Sequence, residues 1–177
     1  MLRLANIVET AIKPALAMLP KNMDSPKARV MLLAIGLQES RFEYRRQLGN
    51  GPARGFWQFE CGTRASRGGV WGVYLHNAST EQLRLLCRER DCSFDPRSIW
   101  SQIERDDVLA AGLARLLLWT DRGPLPEIGD EAGAWDMYAV RCWRPGKPHP
   151  QTWPTCYQQA VEEVVPRQPA TMKDSPL

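Results

Sequence analysis

Few residues in this sequence are placed to do acid–base chemistry, and Glu39 leads them. It stands in AIGLQESRFEYRR, residues 34–46, on a face that runs Ala28, Leu32, Ile35, Glu39 and then Phe42. Steps of three and four residues put these side chains on one side of a helix. A carboxyl on such an apolar stripe, with Phe56 and Trp57 close in sequence, is partly desolvated. Desolvation raises its pKa and lets it hold a proton near neutral pH, as a general acid must. The alternative is that Glu39 only marks the exposed end of its helix. Glu43, Glu60 and Asp136 are the candidates for a second carboxylate, and each reads equally well as a solvated surface residue. The five cysteines, Cys61, Cys87, Cys92, Cys142 and Cys156, are odd in number and make no zinc spacing with His76 or His149. Free structural thiols, no metal and no cofactor are expected.

The elements that must position Glu39 are helical. Ser25 as a side-chain cap and Pro26 at the first helical position start the helix that carries it. Upstream, residues 1–24 read as an amphipathic helix over 1–19 and a linker; downstream, LGNGPARG reads as a tight loop or short hairpin. NASTEQLRLLCRERD has a cap near Ser79 or Thr80. DPRSIWSQIERDDVLAAGLARLLLWTDRG carries the strongest helical pattern, with Val108, Leu109, Gly112, Leu113, Leu116 and Leu117 on one broad face and Gly123 as the stop. GDEAGAWDMYAVRCW and PTCYQQAVEEVV are further helices, and 166–177 is a polar tail expected to be disordered. Strand alternation is absent, so a mainly α single domain over 1–165 is expected. With 177 residues, 44% hydrophobic and 24% charged, the chain can bury a sizeable core. No apolar run reaches the roughly 20 residues of a membrane span. Glu9 and Pro14 interrupt the first apolar stretch, which therefore does not read as a secretory signal. The net charge of +3 suits an anionic partner without requiring one. Arg41, Arg45, Arg46, Arg54, Arg64 and Arg67 gather around the glycine loop, as a basic rim or as a solvated face. They bring no nucleic-acid motif, and acids are interleaved among them, so nucleic acid is not an expected partner.

In chain order, Glu39-Ser40 with Phe42, the loop Gly51-Pro52-Ala53-Arg54-Gly55 and then Phe56-Trp57-Gln58-Phe59 and Thr63 resemble the signature of soluble lytic transglycosylases and goose-type lysozymes. DDVLAAGLARLLLW resembles that superfamily's helix with a central glycine, and Trp135-x-x-Tyr138 its later helix ending in a substrate-facing tyrosine. The loop is one residue longer than the usual pattern, Ala139 follows Tyr138 where asparagine is common, and WRPGKPHPQTW has no counterpart. The resemblance implies a lysozyme-like fold with a short loop or hairpin after the catalytic helix, and a peptidoglycan glycan strand as substrate. It implies Glu39 as the single catalytic acid and base, with Ser40, Gln58, Phe59 and Tyr138 as substrate-binding residues. Trp57, Trp71 and Trp143 are candidates for stacking on sugars, against a core role for each. Without a signal segment, such an enzyme is expected to reach the cell wall inside a virion or secretion machine, with virion proteins as partners. The competing expectation is a virion or assembly protein that keeps the scaffold without catalysis. A cleft plugged by WRPGKPHP would favour it.

Overall fold

The computed structural model describes residues 4–165, so the tail at 166–177 lies outside the described residues. The described chain is mainly α. An N-terminal arm consists of α1 (Leu4–Ile7), a π-helical turn (Val8–Ile12) and α2 (Lys13–Ala17). Then come α3 (Pro26–Ser40), α4 (Gly69–Leu75), α5 (Thr80–Glu89), α6 (Pro96–Gln102) and α7 (Asp107–Trp119). The short α8 (Glu131–Trp135) runs into a second π-helical segment (Asp136–Cys142), and α9 (Trp153–Val164) closes the fold. None of the described helices is long and apolar enough to cross a membrane.

Ser25 caps α3 as its type suggests: Oγ accepts the Ala28 N–H at 3.1 Å, and Pro26 follows. The single apolar stripe is too narrow a description of this helix. Val30, Met31, Leu33, Ala34 and Leu37 are buried along with Ala28, Leu32 and Ile35, so α3 is apolar nearly all round and needs partners on every side. Its most extensive packing is against α9, with α7 and the N-terminal π-helical turn on other faces. The long helical pattern of 95–123 is two helices, each begun by an aspartate cap. Asp95 accepts the Ser98 N–H and Asp106 accepts the Leu109 N–H, both at 2.9 Å. Helix α7 ends at Trp119, ahead of Gly123, and Val108 and Leu117 sit half-buried at the edges of its core face. Ser79 does not cap α5 with its side chain. Its buried hydroxyl donates to the Val73 carbonyl at 2.7 Å and ties α5 to α4.

The loop after α3 is an irregular hairpin with isolated bridges between Arg46 and Arg54 and between Arg54 and Phe59. Three arginines clamp it to the α6–α7 region. Arg45 makes two hydrogen bonds to Asp107 (2.9 and 2.8 Å), and Arg46 and Arg54 share Glu104 at 3.0 and 2.9 Å. Their guanidinium groups also lie on rings, Arg45 over Phe56 and Arg54 over Trp100. Half of the basic rim read from the sequence is therefore structural, because these charges already have partners. Gly55 has φ +72°, and a Cβ there would stand 2.9 Å from the Ile103 carbonyl oxygen, so only glycine lets the hairpin lie this close to α6.

Candidate active site

Glu39 is the last residue but one of α3, and the way that helix ends fixes its position. Arg41 and Phe42 follow with φ of 54° and 55°, both in the left-handed region. Such residues cost about 1–2 kcal/mol each, so the surroundings must hold them there. Phe42 is buried edge-on against Phe56 and Trp57, with centroids 5.4 and 5.7 Å away. It also presses on Gly36, where a Cβ would fall 2.2 Å from the ring. The buried Ser40 hydroxyl donates to the Phe56 carbonyl at 2.7 Å and accepts the Phe42 N–H at 3.2 Å. In this arrangement Ser40 spends its hydrogen bonds joining the helix end to the hairpin. Trp57 is fully buried and donates its indole N–H to the Leu32 carbonyl at 2.8 Å, so it belongs to the core and offers no face to a sugar.

The Glu39 side chain is half-buried. Burial pushes its carboxyl from the usual 4.5 up to about 7, and a hydrogen bond from Tyr138 pulls the other way. The Tyr138 hydroxyl donates to Oε1 at 2.7 Å, which leaves Oε2 to carry the acidic proton. Burial, and then the facing carboxylate, push the tyrosine's own pKa far up, so its oxygen stays a donor.

Aromatic rings hold Tyr138 in place. It stacks on Trp153 with centroids 5.1 Å apart and planes within 2°, and Trp135 meets it edge-on at 5.6 Å. Trp143 lies 6.2 Å from Tyr138, packs on Phe59 at 5.5 Å and donates its indole N–H to the Trp57 carbonyl at 3.0 Å. Tyr138 sits in the second π-helical segment, whose wide turn shows in the Trp143 N–H bonding to the Tyr138 carbonyl at 2.9 Å. Such turns are rare and gather at functional sites.

Gln58 is half-buried with φ 49°, and its amide N–H donates to the Gly55 carbonyl at 2.9 Å. Phe59 is buried under Trp143. Glu39 and Tyr138 are thus in direct contact, whereas Ser40 ties the helix end to the hairpin, Phe59 backs Trp143 and Gln58 bonds within its own turn. Trp71 is elsewhere, edge-on to Tyr74. Glu43, Glu60 and Asp136 are all exposed, and Asp136 is held by Arg141 at 2.9 Å, so none of them pairs with Glu39. The unmatched segment docks beside the acid. Gln38 donates to the His149 carbonyl at 2.9 Å and accepts from Thr152 at 3.0 Å. It does not seal the site, because Glu39 keeps part of its surface in solvent.

A surface cavity of about 540 Å³ lies against Arg97, Ser98, Ser101 and Arg105, and Glu39 is not among its lining residues. Its walls are exposed or half-buried arginine, serine and glutamine side chains, with no carboxyl, imidazole or thiol among them, so the chemistry points to Glu39 instead. Among the described residues, no three His, Cys, Asp or Glu side chains converge to hold a metal ion. The thiols are free, and burial raises all five, Cys87 and Cys142 to about 12, which leaves them protonated and unreactive. The arrangement presents one neutral carboxylic acid of fixed orientation at the edge of an aromatic wall. No protein-family profile, curated protein or solved structure matches this chain.

Proposed function

We propose that this protein cleaves the glycan strands of peptidoglycan as a lytic transglycosylase, with Glu39 as its one acid and base. The observation that carries the reading is the Glu39 carboxyl, raised to about 7 by burial and held through Oε1 by Tyr138. At neutral pH about half of such groups are protonated, so one side chain serves both as donor and, after giving up its proton, as acceptor. Oε2–H protonates the glycosidic oxygen and the bond from that oxygen to the anomeric carbon breaks. The Glu39 carboxylate then takes the proton of the 6-hydroxyl on the same sugar, whose oxygen closes on the anomeric carbon. A 1,6-anhydro ring forms and Glu39 is protonated again. Hydrolysis with inversion or retention ordinarily needs a second carboxylate about 5–10 Å away. Glu43, Glu60 and Asp136 are all exposed and Asp136 is tied to Arg141, so none shares the desolvated setting of Glu39, and the intramolecular route needs none of them. Tyr138 fixes the acid's rotamer, and Trp143, half-exposed on the same wall, is the ring available to a sugar face. Delivery inside a virion, with other virion proteins as partners, is part of the proposal.

The scaffold reading rests on one observation, the docking of 149–152 on Gln38 beside the acid. Digestion of purified peptidoglycan by wild type and by Glu39→Gln, with products weighed by mass spectrometry, separates the readings. Anhydro-muropeptides from the wild type alone are expected. Reducing ends would make it a hydrolase. Binding without release by either protein would establish the scaffold.

A further inference from the structure

A second ionisable group is buried without neutralisation, in the middle of α7. Arg115 is only 2% exposed. Its Nε–H donates to the Met23 carbonyl at 2.7 Å, while Nη1 is buried without a hydrogen-bond partner among the described residues. Asp24, the carboxylate whose field reaches it, is already held by two hydrogen bonds from Arg29 at 2.9 and 2.8 Å. The Arg115 ring contact, 5.2 Å to Trp119, supplies only part of what a buried cation needs. Burial lowers its pKa to about 10, so it is still a cation at neutral pH. Arg115 lines a surface cavity of about 250 Å³ together with Leu118, Trp119, Asp121, Arg122 and Leu125. Asp121 is committed to Arg141 at 2.5 Å, so the cavity-lining Arg115 and Arg122 draw no ion pair from it.

We infer that this cavity binds a small monocarboxylate with an apolar body, its carboxylate pairing with the buried Arg115 and its body resting on Leu118, Trp119 and Leu125. A guanidinium fork matches the plane of a carboxylate and forms its strongest bonds to one. Three apolar walls replace little of the hydration shell of a phosphate dianion, whereas they suit the hydrocarbon part of an organic acid. The inference is independent of the chemistry at Glu39.

The test titrates butyrate into the full-length protein at constant ionic strength, with butyramide as the uncharged isostere and inorganic phosphate as a competing oxyanion. The Arg115 Nε–Hε NMR signal, assigned through bonds, is the readout. A saturable shift with butyrate and none with butyramide is expected. Arg122→Gln, at an exposed rim position, weakens binding roughly two- to fivefold, the worth of one exposed charge. Followed instead through the indole N–H signal of Trp119 on the cavity wall, Arg115→Met shows no saturable shift where it folds, and Arg122→Gln carries the test where it does not. An equal response to butyramide, a shift that never saturates, no loss in Arg122→Gln, or tighter binding of phosphate than of butyrate would each overturn the assignment.

Discussion

Glu39 and Arg115 pose the same physical problem on the two central helices, α3 and α7, and reach different ends. Each is an ionisable group taken out of water, where a charge is costly. Each has one good hydrogen bond, from the Tyr138 hydroxyl in one case and to the Met23 carbonyl in the other. A carboxyl can relieve the cost by holding a proton, and a rise from 4.5 to about 7 brings that within reach of neutral pH. A guanidinium cannot, because a value lowered to about 10 still leaves it charged. The difference teaches that burial turns an acid into a proton donor but turns an arginine into a demand for an anion.

The contrast can be broken at either pole. The largest effect expected is on catalysis: Glu39→Gln lowers muropeptide release by about 10³-fold, within the range of a lost general acid. The same substitution changes stability with a sign opposite to that of most point mutations. The folded pKa of Glu39 is above its unfolded value, so its contribution is fully present below about pH 4.5 and is lost as pH rises through about 7. Measured as the difference between wild type and Glu39→Gln in urea unfolding, that loss comes to about 3 kcal/mol. The glutamine variant is therefore the more stable protein above neutrality. At the other pole, Arg115→Lys keeps the charge and loses the planar donor to Met23, and costs about 2 kcal/mol in the same assay. Arg115→Met, which removes the charge as well, costs less than the lysine.

Tyr138→Phe sharpens the comparison by removing the bond that favours the ionised carboxylate. The alkaline limb of kcat/KM moves up by about one pH unit, and activity falls by roughly tenfold. The smallest effect is expected away from both groups. Arg46→Gln loses an exposed bond to Glu104 and costs about 0.5 kcal/mol in thermal unfolding, with the acid's pH profile unchanged.

Much of this was legible in the residues. Ser25 with Pro26 announced the start of α3, and the long apolar pattern announced α7. Glu39 and Tyr138 were both singled out, although 99 positions separate them. What stayed hidden depends on contacts between distant elements. Nothing local shows that Trp153 stacks on Tyr138, or that Arg45, Arg46 and Arg54 are spent on Asp107 and Glu104. The need for Gly36 appears only once Phe42 folds back on it. Helix α4 escapes the periodic pattern because Gly69 and Gly72 dilute its apolar spacing and it makes only two turns. The π-helical turn around Tyr138 has no residue signature of its own. Ser79 shows how a residue type can mislead: a good capping side chain was drawn instead to a buried carbonyl.

The central claim is a single carboxylic acid still protonated at neutral pH, and its most direct test is a 13C NMR titration of the Glu39 carboxyl in the wild-type protein. A midpoint near 7, rising further in Tyr138→Phe, is the result this account predicts. A midpoint near the ordinary 4.5, or one indifferent to the loss of the tyrosine hydroxyl, would contradict it.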